Sequence, residues 1–159
     1  MDPLLKLLRE NAAYKPHQLA GMLNLTEGEV AAKIKGYEAE GVILGYRTVI
    51  NDDKLGLDSV RAMIEVRITP EREGGFDRIA ERIARYTEVR CCYLMSGAYD
   101  LLVEVEGGNL REVAMFVSEK LATIQGVLST ATHFMLKPYK EQGVMMTREH
   151  TEERLAVTP

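Results

Sequence analysis

The chain has little cysteine, no excess of positive charge and no long apolar run, and each shortage removes a class of protein. There are two cysteines in 159 residues, and they are adjacent, Cys91 and Cys92. Successive side chains of a strand point to opposite faces, so the pair cannot close a useful loop, and no metal-ligand spacing surrounds it. Two reduced thiols are expected. No stretch reaches the roughly 18–20 uncharged apolar residues of a membrane span. Met1-Asp2-Pro3 opens without a basic region or small-residue cleavage site, so the expectation is a cytoplasmic protein with no membrane partner. With 46% hydrophobic and 28% charged residues and a net charge of -4, extended disorder and collagen-like or coiled-coil fibres are excluded. The length suits one full domain, or a small one joined to a medium one.

Catalytic and cofactor sets are also missing. His17, His133 and His150 are scattered, with no cysteine or carboxylate at ligand spacing. Gly74-Gly75 and Gly107-Gly108 read as helix entries, since neither forms a glycine fingerprint after a buried parallel strand. No Ser/His/Asp or Cys/His order points to a nucleophile, and the eight methionines suit adaptable core and interface packing. The expectation is therefore a protein that is not an enzyme and holds no metal or cofactor.

What is present changes character near residues 51–58, where Asn51-Asp52-Asp53-Lys54-Leu55-Gly56 supplies turn chemistry. Four segments follow: a helical domain over residues 1–50, a linker over 51–58, a second domain over 59–140 and a tail over 141–159. In the first, Leu4, Leu5, Leu7 and Leu8 face one side of a helix, and Pro16 opens a second that carries Leu19, Ala20, Met22 and Leu23. Thr26 and Glu29 form a capping-box pattern that starts a third, in which Val30, Ile34 and Tyr37 face inward. Gly41 stops it, and residues 42–50 read as extended.

From residue 57 the order is strand, helix, strand, strand, helix, strand. Val60, Ala62, Ile64, Val66 and Ile68 alternate with Arg61, Met63, Glu65 and Arg67 at the period of a half-buried strand. Helical spacing recurs in Phe76, Ile79, Ala80, Ile83 and Ala84, and again in Leu110, Val113, Ala114, Val117, Leu121 and Ile124. Strands are expected at about 89–95, 99–106 and 127–137. Two intercalated strand-helix-strand units give a ferredoxin-like (βαββαβ) fold, a four-stranded antiparallel sheet with both helices on one side. The other face keeps apolar residues and needs cover, from a second copy's sheet or as a small-molecule pocket.

The helix pair from about Pro16 to Glu38 suits either a DNA-reading helix-turn-helix or a plain packing unit. A reading helix would turn Thr26, Glu27, Glu29, Lys33 and Lys35 toward a groove, with Lys33, Lys35 and Arg47 meeting phosphates. Residues 1–56 hold seven basic and eight acidic side chains, so grip on a polyanion would depend on several linked copies.

Read together, the halves resemble one family. Gln18-Leu19-Ala20, Leu25-Thr26, Val30, Lys33-Ile34, Tyr37-Glu38, Gly41-Val42-Ile43 and Gly45-Tyr46 resemble the helix-turn-helix of the Lrp/AsnC (feast/famine) transcriptional regulators. Ser96-Gly97-Ala98-Tyr99-Asp100-Leu101-Leu102 is similar to their effector-side turn, and Gly126-Val127 with Ser129-Thr130-Ala131-Thr132 to the opening of their last strand. The resemblance spans about residues 3–140. It implies a winged-helix-like DNA-binding domain joined to a ferredoxin-like domain that binds an amino acid or related metabolite and dimerises, often into tetramers or octamers. It also implies an effector set of Gly97, Tyr99, Asp100, Thr130 and Thr132. Departures are Lys33 where arginine is usual, Tyr37 where leucine is common, and acidic Glu27 and Glu29 at the reading helix. On the residues alone, Gly97 suits a positive-φ turn or the close approach of another backbone, and Asp100 either caps local amides or binds an ammonium group. The tail's Val144, Met145, Met146, Leu155 and Val157 fit a solvated end or an arm packed on a neighbouring subunit. The rival to a regulator is a ligand-binding oligomeric module without specific DNA affinity.

Overall fold

A computed structural model of the chain describes residues 1–56, 58–69 and 75–146; Gly74, His150 and the tail past 146 lie outside the described residues. The chain forms two compact units that divide between Val49 and Ile50.

The first unit holds α1 (Pro3–Glu10), α2 (Pro16–Leu23) and α3 (Glu27–Ala39). Proline opens both α1 and α2, at positions whose N–H would have no helical acceptor anyway. Asn24 ends α2 in the left-handed region at φ 54, and the next amide, of Leu25, returns to the Ala20 carbonyl at 3.0 Å. Leu4, Leu19, Ala20 and Val30 are buried where the three helices meet, ringed by Leu7, Leu8, Leu23, Ile34 and Tyr37. Each large side chain fully buried there contributes about 1.5–3 kcal/mol. Gly41, at φ +70, turns the chain out of α3 so that the Val42 and Ile43 amides both reach the Tyr37 carbonyl.

Residues 42–50, expected to be extended, form no strand. A ladder needs a second strand, and the first unit is otherwise helical, so this backbone finds no partner strand within its own unit. Leu44 is 93% exposed as a result. The turn expected at 51–56 contains a short helix, α4 (Asp52–Leu55), which ends before Gly56 at φ +64.

The second unit runs β1 (Val60–Ile68), α5 (Asp77–Ala84), β2 (Val89–Leu94), β3 (Leu101–Gly107), α6 (Leu110–Met115) and β4 (Val127–Phe134). The strands pair antiparallel in the order β2-β3-β1-β4, the ferredoxin-like arrangement the sequence implies. Alternate residues of β1 and β3, Ala62, Ile64, Val66, Leu101, Val103 and Val105, are buried against Ile79 and Ile83 of α5 and Val113 of α6. Gly126 before β4 is needed twice over. Its φ is +94, and a Cβ there would lie 2.6 Å from Ile79 Cδ1.

Two departures concern this unit. After Met115 the helix continues as a π-helical segment, Phe116–Leu121. The buried positions are Val113, Phe116, Leu121 and Ile124, so the step from Phe116 to Leu121 is five residues. In an unbroken α-helix Lys120 would share Phe116's face, whereas the wider turn sends Leu121 inward and Lys120 out. Leu110 and Ala114, expected on the apolar stripe, are exposed. The second departure is at the end, where β4 stops at Phe134 and the segment read as tail opens with a hairpin, β5 (Lys140–Glu141) and β6 (Val144–Met145). Arg61 donates to both Glu141 oxygens at 2.7 and 2.9 Å, and Asn51 Nδ2 donates to the Met146 carbonyl at 3.0 Å.

Candidate nucleic-acid interface and effector turn

Thr26 starts α3 by a reciprocal cap. Its Oγ1 accepts the Glu29 amide at 3.2 Å, while Glu29 Oε2 accepts the Thr26 amide and hydroxyl, both at 2.8 Å. The Thr26 amide, more than the hydroxyl, holds the Glu29 carboxyl below its ordinary range. Both residues of the expected contact set are thus engaged in starting the helix. At 100° per residue, Gly28, Ala32, Lys35 and Ala39 point away from buried Val30 and half-buried Ile34 and Tyr37, and all four are solvent-facing. Glu27 is exposed at the first helical position. Lys35 and Arg47 make no ion pair among the described residues, whereas Glu38 accepts the Tyr46 hydroxyl at 2.9 Å.

Lys33 is different. Its Nζ donates to Asp2 Oδ2 at 3.0 Å, and the Tyr37 hydroxyl donates to the same oxygen at 2.7 Å. Asp2 Oδ1 accepts the Leu4 amide at 2.7 Å, which caps α1. Tyr37 first, then the Leu4 amide and Lys33, lower the Asp2 pKa from 3.8 to about 2. Bonding to Asp2 also pushes Lys33 and the Tyr37 phenol up. Sequence reading missed Asp2 and took Tyr37 only as core. The available signal was an aspartate immediately before a helix-opening proline, an N-cap whose second oxygen remains free for a partner.

The turn at residues 95–100 joins β2 to β3 at one end of the sheet. Asp100 takes a structural role, with its side chain bonded to another strand rather than within its own turn. Its Oδ2 accepts the Ile68 amide at 2.8 Å, its own amide reaches the Val66 carbonyl at 3.0 Å, and its carbonyl accepts Met95 N–H at 2.8 Å. The need arises locally. The β1–β4 register slips between Arg67 and Ile68, skipping Leu128, so the ladder is irregular where Asp100 supplies an acceptor. Gly97 departs from the positive-φ expectation. Its φ is not in that region, and a Cβ would meet nothing within 4 Å. Tyr99 is half-buried beside it.

Thr130 pairs with Val66 and Thr132 with Ile64, so both threonines lie on the helix-covered face of edge strand β4. Thr130 shares a level with the start of β3, about 10 Å away across β1 at two strand spacings. Thr132 is one side-chain repeat, about 7 Å, further along. The fold therefore groups Gly97, Tyr99, Asp100 and Thr130 toward one end of the sheet and leaves Thr132 nearer its middle.

The uncovered face presents Met63, Leu102, Cys91, Tyr93 and Ala131 among paired charges. Arg61 contacts Glu104 at 3.6 Å, Arg90 bonds Glu106 at 2.7 Å and His133 approaches Glu65 at 3.3 Å. Cys92 is on the opposite face, donating weakly to the Ala80 carbonyl at 3.8 Å, and burial pushes its thiol up. Among the described residues no helix is long and apolar enough to cross a membrane.

Residues 61–145 match the Lrp/AsnC ligand binding domain. Over 98% of its length the chain is 43% identical to the Bacillus subtilis HTH-type transcriptional regulator YugG, covering 95% of that protein. It is 29% identical to the proline dehydrogenase transcriptional activator of Rhizobium radiobacter, over 89% of this chain and 90% of that one. In three dimensions it is similar to a Neisseria meningitidis transcriptional regulator solved with L-Met, with TM-score 0.71 and 21% identity over 91% of this chain and 96% of that one. The fold of Escherichia coli AsnC is similar too, with TM-score 0.66 and 20% identity over 89% and 95% of the two chains.

Proposed function

The chain belongs to the Lrp/AsnC family of HTH-type transcriptional regulators, and we propose that it reads duplex DNA with α3 while its sheet unit assembles copies and takes up an amino-acid-like effector. The observation that carries the DNA reading is the outward face of α3. Gly28, Ala32 and Ala39 are small enough for the helix backbone to approach base edges closely, alanine methyls suit thymine methyl contacts, and Lys35 carries an unpaired charge among the described residues. Thr26 and Glu29 hold the start of that helix, Glu27 faces out beside it, Lys35 and Arg47 serve the phosphates, and Lys33 flanks them while bonded to Asp2.

Two or more linked copies offset the near-neutral charge of the first unit. The outer sheet face supports a homodimer, since among the described residues no helix packs over half-buried Met63 and Leu102 or exposed Tyr93 and Ala131, and tetramers or octamers extend the same principle. For the effector, the Neisseria relative's L-Met complex supports an amino acid. Gly97 supports the turn as its seat, because among the described residues no contact requires a glycine there. Tyr99, Asp100, Thr130 and Thr132 complete the proposed set. The effector acts by preferring one arrangement of the reading helices, and shifts it only by its difference in affinity for the two. The reading is of a cytoplasmic protein and includes no covalent chemistry.

The test is fluorescence anisotropy on the DNA upstream of its own gene and on random duplex, between 0.05 and 0.2 M salt. The expected result is tighter binding to the upstream DNA, weakening as salt rises, and further loss in Lys35→Ala. Equal affinity for both duplexes, or binding indifferent to salt, overturns the regulator reading in favour of a ligand-binding module without DNA specificity.

A further inference from the structure

Lys33 lies on α3 between the buried stripe and the outward face, about 70° from the centre of Val30, Ile34 and Tyr37 at 100° per residue. When a helix lies in a groove, its outward face meets base edges and its flanks run beside the phosphate backbones. A flank lysine is therefore placed for phosphate contact, yet here it is bonded to Asp2 at 3.0 Å. The side chain is still 46% exposed, against 22% for Asp2, so the ammonium is reachable from solvent while its charge is cancelled. Tyr37 fixes the carboxylate from the same helix and the Leu4 amide fixes it from α1, so Asp2 cannot move aside without losing two further bonds.

We propose that Asp2 is a positioning residue of the DNA-binding unit, which holds Lys33 against α1 and withholds its charge from phosphates, lowering sequence-independent grip so that discrimination rests on the outward face of α3. This rests on the regulator reading. Asp2 touches no DNA in this scheme and acts through Lys33. Each phosphate neutralised steepens the dependence of log affinity on log salt by about 0.9, so freeing one lysine has a countable signature.

Asp2→Asn is the informative change, because asparagine also caps helices well, its single oxygen taking the Leu4 amide while its NH2 donates to the Tyr37 hydroxyl oxygen, and the charge that binds Lys33 is gone. In the full-length protein, affinity for random duplex is measured from 0.05 to 0.2 M salt for wild type, D2N, K33M and D2N/K33M, with thermal unfolding as a check on folding. The expected result is a slope steeper by about 1 in D2N, so that its advantage over wild type grows about three- to four-fold as salt falls across that range. The gain disappears in D2N/K33M. A D2N slope equal to wild type overturns the proposal, as does a gain that survives loss of Lys33. If D2N unfolds, Tyr37→Phe on the wild-type background gives the second reading: it loosens the carboxylate without adding charge, and a steeper slope is expected there too, with no change overturning the proposal. Wild type that binds no DNA in a salt-dependent way sinks the regulator reading instead, and the two failures are distinguishable.

Discussion

Asp100 is the residue at which a structural and a ligand-binding role can be pulled apart. Its Oδ2 accepts the amide of Ile68, a residue only 3% exposed, at the point where the β1–β4 register slips. Asp100→Ala leaves that amide without an acceptor, and an unsatisfied buried donor costs about 1–3 kcal/mol. Asp100→Asn retains a side-chain oxygen at the same place and keeps most of the bond, but removes the negative charge that an ammonium group would need. Urea unfolding followed by NMR signals of second-unit core methyls reports this unit apart from the first, which matters because a chain of two units need not unfold in one step. At an m value of about 1–3 kcal/mol per molar urea, D100A is expected to lower the midpoint by roughly 1 M and D100N by a small fraction of that. Thermal-shift measurements against the common amino acids then read the second role. Wild type is stabilised by its effector, and both variants lose that response, since a ligand raises the melting temperature only through preferential binding to the native state. A D100A midpoint equal to wild type refutes the hydrogen-bond argument. A full effector response in D100N refutes the assignment of the ammonium to this carboxylate.

Other substitutions test the scaffold. Gly126→Ala is expected to destabilise the second unit by about 1–2 kcal/mol from its positive φ and by about 1–3 kcal/mol more from displacing Ile79, visible as a lower melting temperature. Thr26→Ala removes one half of the α3 cap and costs the first unit about 1 kcal/mol; amide exchange at Glu29 and Val30 rises first. Asp2, with its carboxyl held at about 2 against 3.8 when free, contributes stability that is fully present above pH 4 and is lost as pH falls through 2. An NMR titration of its carboxyl carbon checks this, and a midpoint near 3.8 denies the Lys33–Tyr37 clasp.

Much of the architecture was legible because periodicity and punctuation agreed. Alternation in β1, the Thr26–Glu29 pattern, Pro16 and Gly41 each act within a few residues, and each is found in its expected place. What could not be read depended on partners distant in sequence. Residues 42–50 have strand-like spacing, but a strand is a pair, and no second strand lies in that unit. Asp2 and Lys33 are separated by 31 positions, and only the packing of α1 on α3 joins them. Gly97 invited a conformational explanation that its backbone does not need, and its side-chain-free surface turns outward instead. Asp100 left two roles open from sequence, and its geometry supplies the structural one through Ile68, a partner 32 residues earlier.

The wide turn at Phe116–Leu121 accommodates one residue more than a regular helix would between the same two inward anchors. A chain shorter by one position there, lacking for example Ser118, could wind regularly and still bury the counterparts of Phe116 and Leu121. Superposing homologous chains residue for residue through this helix would then mismatch everything after it by about 100° of rotation. A single gap placed within the π turn restores the correspondence, and marks the spot where length can vary without disturbing the interior.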